Sequence, residues 1–205
     1  MVKTIAKDHA LKKEAILSCA VEVFATIGFD RASMNQVAKA CGVSKPALYH
    51  YFSGKNEILY SILHHHLQGL RDHMLSLEKG ERDHEQFLYY AVEEILLFYR
   101  GNDNIHALQL HALGQLDQDE QKVLKEHMRE LVHYVSELIR AIHPEIFKNN
   151  DDNLRMATMS LFGMLNWYYT WNHRRNSADR KAYARYATDI LLHGLAGYAN
   201  KDKGV

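Results

Sequence analysis

Only two cysteines, Cys19 and Cys41, and two prolines, Pro46 and Pro144, occur in the 205 residues. Two thiols are too few for a disulfide framework or a four-thiolate zinc site, and nothing suggests an oxidising compartment. So few prolines, with aliphatic and charged residues mixed throughout, point to an all-α chain and exclude a collagen-like one. No stretch approaches ~18 uncharged apolar residues, so no transmembrane helix is expected. The start, MVKTIAKDHALKKEAIL, lacks the apolar run of a secretory signal, and the expected location is the cytoplasm. Net charge is absent too, with 25 basic residues against 25 acidic. There is no Gly-x-Ser-x-Gly, no phosphate-binding Gly-x-x-x-x-Gly-Lys and no dinucleotide fingerprint, so the common enzyme motifs are missing.

What is present is ordinary globular material: 47% hydrophobic and 24% charged residues, in a length that suits one or two domains. The charge is unevenly placed. Residues 1–55 hold eight Lys/Arg (Lys3, Lys7, Lys12, Lys13, Arg31, Lys39, Lys45, Lys55) against Asp8, Glu14, Glu22 and Asp30. The first quarter is therefore +4 and the rest −4, the arrangement of a module facing a polyanion with a more acidic body behind it.

Helical periodicity begins at 11–27, where Ile16, Ala20, Val23, Phe24 and Ile27 share a face and Gly28 follows as a left-handed stop. Ser33 with Gln36 three residues on forms a capping box for a helix whose face is Met34, Val37, Ala38 and Cys41. Gly42 ends it after about two turns. Ser44 then caps a second short helix, with Pro46 in its first turn. Leu48, Tyr51 and Phe52 point inward there; Lys45, Pro46, Tyr49 and His50 lie on the other side. Ser53-Gly54 breaks the chain before a long helix from Lys55 to about Ser76. Further helices are expected at 84–100, 104–116, 118–142, 152–174 and 179–199, separated by polar joints and Pro144.

Two short serine-capped helices about a glycine turn make a helix-turn-helix, with a packed rear and a short, donor-rich front for the major groove. The run 24–59, FATIGFDRASMNQVAKACGVSKPALYHYFSGKNEIL, resembles the DNA-binding domain of the TetR family of bacterial repressors. The likeness rests on the aromatic-small-x-x-Gly-Phe stretch, the serine at a helix start, the small-Gly-Val-Ser turn and the Leu-Tyr-x-Tyr-Phe run, over about 50 residues. Pro46 and Gly54 depart from the family's usual small polar residues. The resemblance implies phosphate contacts at Ser33, Tyr49 and Lys55. It implies a groove-facing set of Lys45, Ala47 and His50, with Ser44 and Pro46 at the start of the reading helix. It also implies a three-helix DNA-binding domain at 1–56 and a helical effector-binding and dimerisation domain at 57–205. The partners it implies are a double-stranded, palindromic operator, a second copy of the chain and a small-molecule effector, with no membrane, cofactor or metal.

The body supplies its own signals. Leu124, Met128, Leu131, Val135, Leu138 and Ile142 mark a buried helix face. Leu161, Met164, Leu165 and Tyr168, with Tyr183, Ala187, Ile190, Leu191, Gly194, Leu195 and Tyr198, suggest a dimer interface on the last two helices, the alternative being an intramolecular core. The aromatic stretch with Asn166, Trp167 and Trp171, followed by Arg174, resembles the TetR subset that senses acyl-CoA thioesters. Core or interface aromatics would read the same way. Tyr99, Leu110, Tyr134 and Phe162 are further expected pocket residues. An effector of hydrophobic, drug-like or aromatic kind is the alternative ligand.

Fourteen histidines are many, yet no two are spaced three or four apart, and His64-His65-His66 fans around a helix. Glu-x-x-His occurs at Glu81–His84 and Glu130–His133, as a di-iron bundle enzyme would require. The first sits in a polar joint. Glu130 and His133 lie roughly 100° and 160° from the apolar stripe centred on Leu131, at about 100° per residue, so both should face away from the core. Cys19 and Cys41 are expected as small packing residues.

Overall fold

The computed structural model describes residues 2–148, 150–172 and 176–201, with side chains described for 8–148, 150–172 and 176–194. Every regular element among them is helical: α1 Val2–Ile27, α2 Met34–Ala40, α3 Lys45–Tyr51, α4 Lys55–Leu75, α5 His84–Phe98, α6 Asp103–Ala112, a 3-10 turn Leu113–Gln115, α7 Gln118–Ile142, α8 Pro144–Phe147, α9 Asp151–Trp171 and α10 Ser177–Lys201. The chain is all-α, as its periodicity predicts. Two differences stand out. The first helix starts nine residues earlier than its apolar face, at Val2 rather than residue 11, because residues 2–10 contain neither Gly nor Pro. Pro144, expected as a separator, instead opens α8 from the first helical position, where its missing N–H costs nothing.

The residues divide into two compact units, Met1–Gln68 with Asp103–Lys125, and Gly69–Asn102 with Glu126–Val205. Two of the three divisions fall inside helices, α4 and α7, and the third at the start of α6. In the first unit Ile16, Ala20, Phe24, Val37, Leu48, Phe52, Ile58 and Leu59 are buried together behind the two short helices. The Phe24 and Phe29 rings meet edge to face at 5.1 Å. α6 belongs here: Asn104 Nδ2 donates to the Glu22 carboxylate on α1 at 3.1 and 3.2 Å. The second unit has its core on α5, α7, α9 and α10, where Leu88, Val92, Ile95, Val135, Ile139, Leu161, Leu165, Ala184 and Ala187 are enclosed. A capping box at Asp83 and Gln86 starts α5.

No described helix is long and apolar enough to cross a membrane.

Candidate DNA-binding element and helical body

At the start of α2 the Ser33 N–H donates to Gln36 Oε1 at 2.9 Å, and the Gln36 N–H donates back to Ser33 Oγ at 3.3 Å. Cys41 caps the helix, and Gly42 turns the chain at φ +65. That left-handed conformation penalises a Cβ, which explains the glycine. The Ala47 N–H then donates to Ser44 Oγ at 3.2 Å to begin α3. Seven residues of α-helix are about 10 Å long, and the DNA major groove is about 12 Å wide. Leu48 and Phe52 are fully buried on the rear of α3, and Tyr51 partly so. Lys45, Pro46, Tyr49 and His50 are exposed in front, Tyr49 by 46%, and Ala47 is half-buried. The Lys45 ammonium stands 5.9 Å from the Tyr49 ring centroid, and the His50 ring meets His9 of α1 edge-on at 6.1 Å.

Lys55 does something other than the resemblance implies. Its ammonium donates to the carbonyls of Phe29 and Asp30 at 2.9 Å each and of Ala32 at 3.4 Å, and lies 4.7 Å from the Phe29 ring centroid. An ammonium has three donors, and three carbonyls take them. Lys55 thus ties the α1–α2 connection to the start of α4. Nearby, Glu57 accepts from the Ser53 N–H at 2.7 Å and from its hydroxyl at 2.8 Å. These bonds, the backbone one foremost, hold the Glu57 carboxyl below its ordinary value.

In the second unit Tyr99 and Phe162 are buried, and the Tyr99 hydroxyl donates to Asn166 Oδ1 at 3.5 Å. The Tyr134 hydroxyl is enclosed and has no hydrogen-bond partner among the described residues; burial raises its pKa. Leu110 does not join this group, because α6 belongs to the first unit, where the side chain is 43% exposed. Trp167 and Trp171 are 62% and 51% exposed, so they do not wall an enclosed pocket. Trp171 rests edge-on against Tyr168 and Tyr183, whose rings stack at 4.6 Å. Arg174 lies outside the described residues.

The residues expected at a dimer interface divide by face. Leu161, Leu165, Tyr168, Ala187 and Leu191 are buried in the chain's own core and cannot reach a partner. Met164 and Tyr183 are half-buried and joined by the Tyr183 hydroxyl donating to the Met164 carbonyl at 3.1 Å. Ile190 and Gly194 are exposed, while the side chains of Leu195 and Tyr198 lie outside the described set. The exposed apolar residues keep Ile190 of the expected set and are otherwise others: Met156, Met159, Trp167 and Trp171 on α9 and Tyr186 on α10. Glu130 and His133 are exposed, as expected, and Glu130 pairs with Arg71 at 3.3 Å. Among the described residues no three metal-ligating side chains cluster.

Residues 16–62 match the family described as bacterial regulatory proteins, tetR family, and residues 81–195 match the tetracyclin repressor-like C-terminal domain. The second match alone spans more than half the chain. The chain belongs to the TetR family. It is a transcriptional regulator of that family, with an N-terminal helix-turn-helix domain and a TetR-type C-terminal domain. It is 34% identical over 87 residues to the HTH-type transcriptional activator FasR of Mycolicibacterium smegmatis, covering 42% of this chain and 40% of FasR. The chain therefore spans less than half the length of that relative. It is 24% identical over 194 residues to the fatty acid metabolism regulator protein of Bacillus subtilis, covering 92% of this chain and 98% of that one. A TetR-family regulator from Bordetella parapertussis superposes with a TM-score of 0.81 at 29% identity, over 88% of this chain and 93% of the other. FadR from Bacillus subtilis, solved in complex with stearoyl-CoA, gives 0.69 at 21% identity over 88% and 98%, a likeness of fold.

Within this TetR chain several supporting contacts escaped sequence reasoning. Lys13 places its ammonium 5.2 Å from the Phe52 ring centroid, and His9 lies 4.6 Å from the Tyr51 ring centroid, so α1 braces the rear of α3. Neither carries a local signal, because each partner is about 40 residues away. The Ser53–Glu57 clasp does have one, a serine four residues before an acid at a helix start.

Proposed function

We propose that two copies of this chain bind a two-fold symmetric operator as a repressor in the bacterial cytoplasm, each laying α3 in the major groove, and that a small-molecule effector releases them. The observation that carries the reading is the division of α3, with Leu48 and Phe52 enclosed behind and Lys45, Pro46, Tyr49 and His50 exposed in front. Lys45, Ala47 and His50 read base edges. Ser33, Ser44 and Tyr49 hold phosphates, and Lys55 steadies the connection from which Ser33 projects. The second copy covers the exposed apolar face of α9 and α10, since an apolar face of six large side chains is costly to leave in water.

The effector is a fatty acyl thioester of CoA, taken up in the second unit beside Tyr99, Tyr134, Phe162 and Asn166. Support comes from the fatty acid regulator among its relatives and from the enclosed Tyr134 hydroxyl, a donor open to a ligand carbonyl. Binding releases the operator only as far as the ligand prefers the unbound conformation.

Fluorescence anisotropy on DNA flanking its own gene, with an unrelated duplex as control, tests the reading. Selective binding that is lost in a Lys45→Ala/Tyr49→Phe variant and weakened by palmitoyl-CoA is expected. Equal affinity for both duplexes, or the same affinity with and without acyl-CoA, refutes the corresponding half. Transcription from that promoter should rise when the protein is removed; a fall makes it an activator.

A further inference from the structure

Cys19 on α1 and Cys41 at the cap of α2 are free thiols, each partly exposed. Cys41 Sγ donates to the Ile16 carbonyl of α1 at 3.8 Å. Ile16 stands three residues before Cys19, so both share one face of α1. Cys41 is thus set against the turn of α1 that carries Cys19. It also lines a cavity of about 470 Å³ together with Lys12, Ile16, Ser44, Ala47 and Tyr51. Cys41 therefore borders open space into which its side chain can shift, while the partly exposed Cys19 is the thiol that meets a reagent first. The same cavity touches the cap and first turn of α3.

We propose that Cys19 and Cys41 are a redox pair, closed by a hydroperoxide into a disulfide that fastens the α2–α3 turn to α1 and weakens DNA binding. The effect on DNA rests on the function proposed above; formation of the bond does not. Burial, and then the neighbouring Cys19, push the Cys41 thiol up to about 12, so Cys41 keeps its proton near neutrality and reacts second. The Cys19 sulfur attacks the peroxide, the O–O bond breaks, and a sulfenic acid and an alcohol form. Cys41 then attacks that sulfur and the S–O bond breaks. The hydroxyl leaves as water with the Cys41 proton. Two thiols lose two electrons and the peroxide gains them. Because the partners already adjoin, the second step is intramolecular. Cys41 immediately precedes Gly42, whose φ of +65 sets the direction of α3, so a covalent tie at Cys41 acts on the reading helix at its root.

The full-length protein, treated with hydrogen peroxide, alkylated and digested, is mapped by mass spectrometry without reduction. A linked peptide pair carrying Cys19 and Cys41, lost on adding dithiothreitol, is expected. On the same samples operator affinity should fall at least about fivefold on oxidation, return on reduction, and stay unchanged by peroxide in Cys19→Ser. Separately oxidised thiols with no link overturn the pair, and a linked pair with unaltered affinity overturns its regulatory role. If the reduced protein binds no DNA, the reading as a DNA regulator fails, while the peptide map still decides whether the bond forms.

Discussion

The roles proposed for side chains that share one short helix differ, and substitution separates them. Tyr49→Phe should weaken binding to every duplex alike and leave the salt dependence nearly unchanged, because a neutral hydroxyl releases no counterion, whereas loss of a lysine would lower it. Lys45→Ala should cost about 1–3 kcal/mol on the operator and relax base preference. Anisotropy titrations across a salt series distinguish the two. Lys55→Ala should show first as lost stability, about 2 kcal/mol, since three carbonyls lose a charged donor; thermal denaturation checks it. His66 is buried on α4, and burial, followed by His106, holds its pKa at about 4, against an ordinary 6.5. Between those values the unfolded chain binds a proton that the folded chain does not, so stability falls as pH drops from 6.5 toward 4. The full window is worth about 3 kcal/mol. Urea unfolding at stepped pH should show this slope, and His66→Leu should flatten it.

Among the elements, α2 and α3 are too short to hold themselves together. Their order comes from caps, from the turn and from packing on α1. Gly42→Ala isolates the turn: a Cβ there meets nothing within 4 Å, so the cost is conformational, about 1–2 kcal/mol for a left-handed residue. Denaturant unfolding should register that loss, with a parallel loss of operator affinity. The caps at Ser33 and Ser44 and the glycine turns could be read directly from the sequence, because each is a local hydrogen-bond or dihedral requirement met within four residues. The fate of Lys55 could not. Its carbonyl partners lie 23 to 26 residues earlier, and only folding brings them to its ammonium.

For the whole molecule the proposed dimer rests on the exposed apolar residues of α9 and α10. Ile190→Asp, at a side chain 46% exposed, should shift the protein to monomer in size-exclusion chromatography with light scattering. Leu165→Asp should instead unfold it, since Leu165 lies in its own core. An unchanged elution for Ile190→Asp would move the interface elsewhere. The sequence by itself determined the all-α class, the helix-turn-helix and the division of α3, because 3.6-residue periodicity and capping chemistry are local. Only the tertiary structure decided which stripe of α9 and α10 is core. Both helices carry apolar residues on two sides, and periodicity cannot say which side another helix of the same chain will cover. That is why Leu161 and Leu165 turned inward while Met156, Trp167 and Ile190 were left outside.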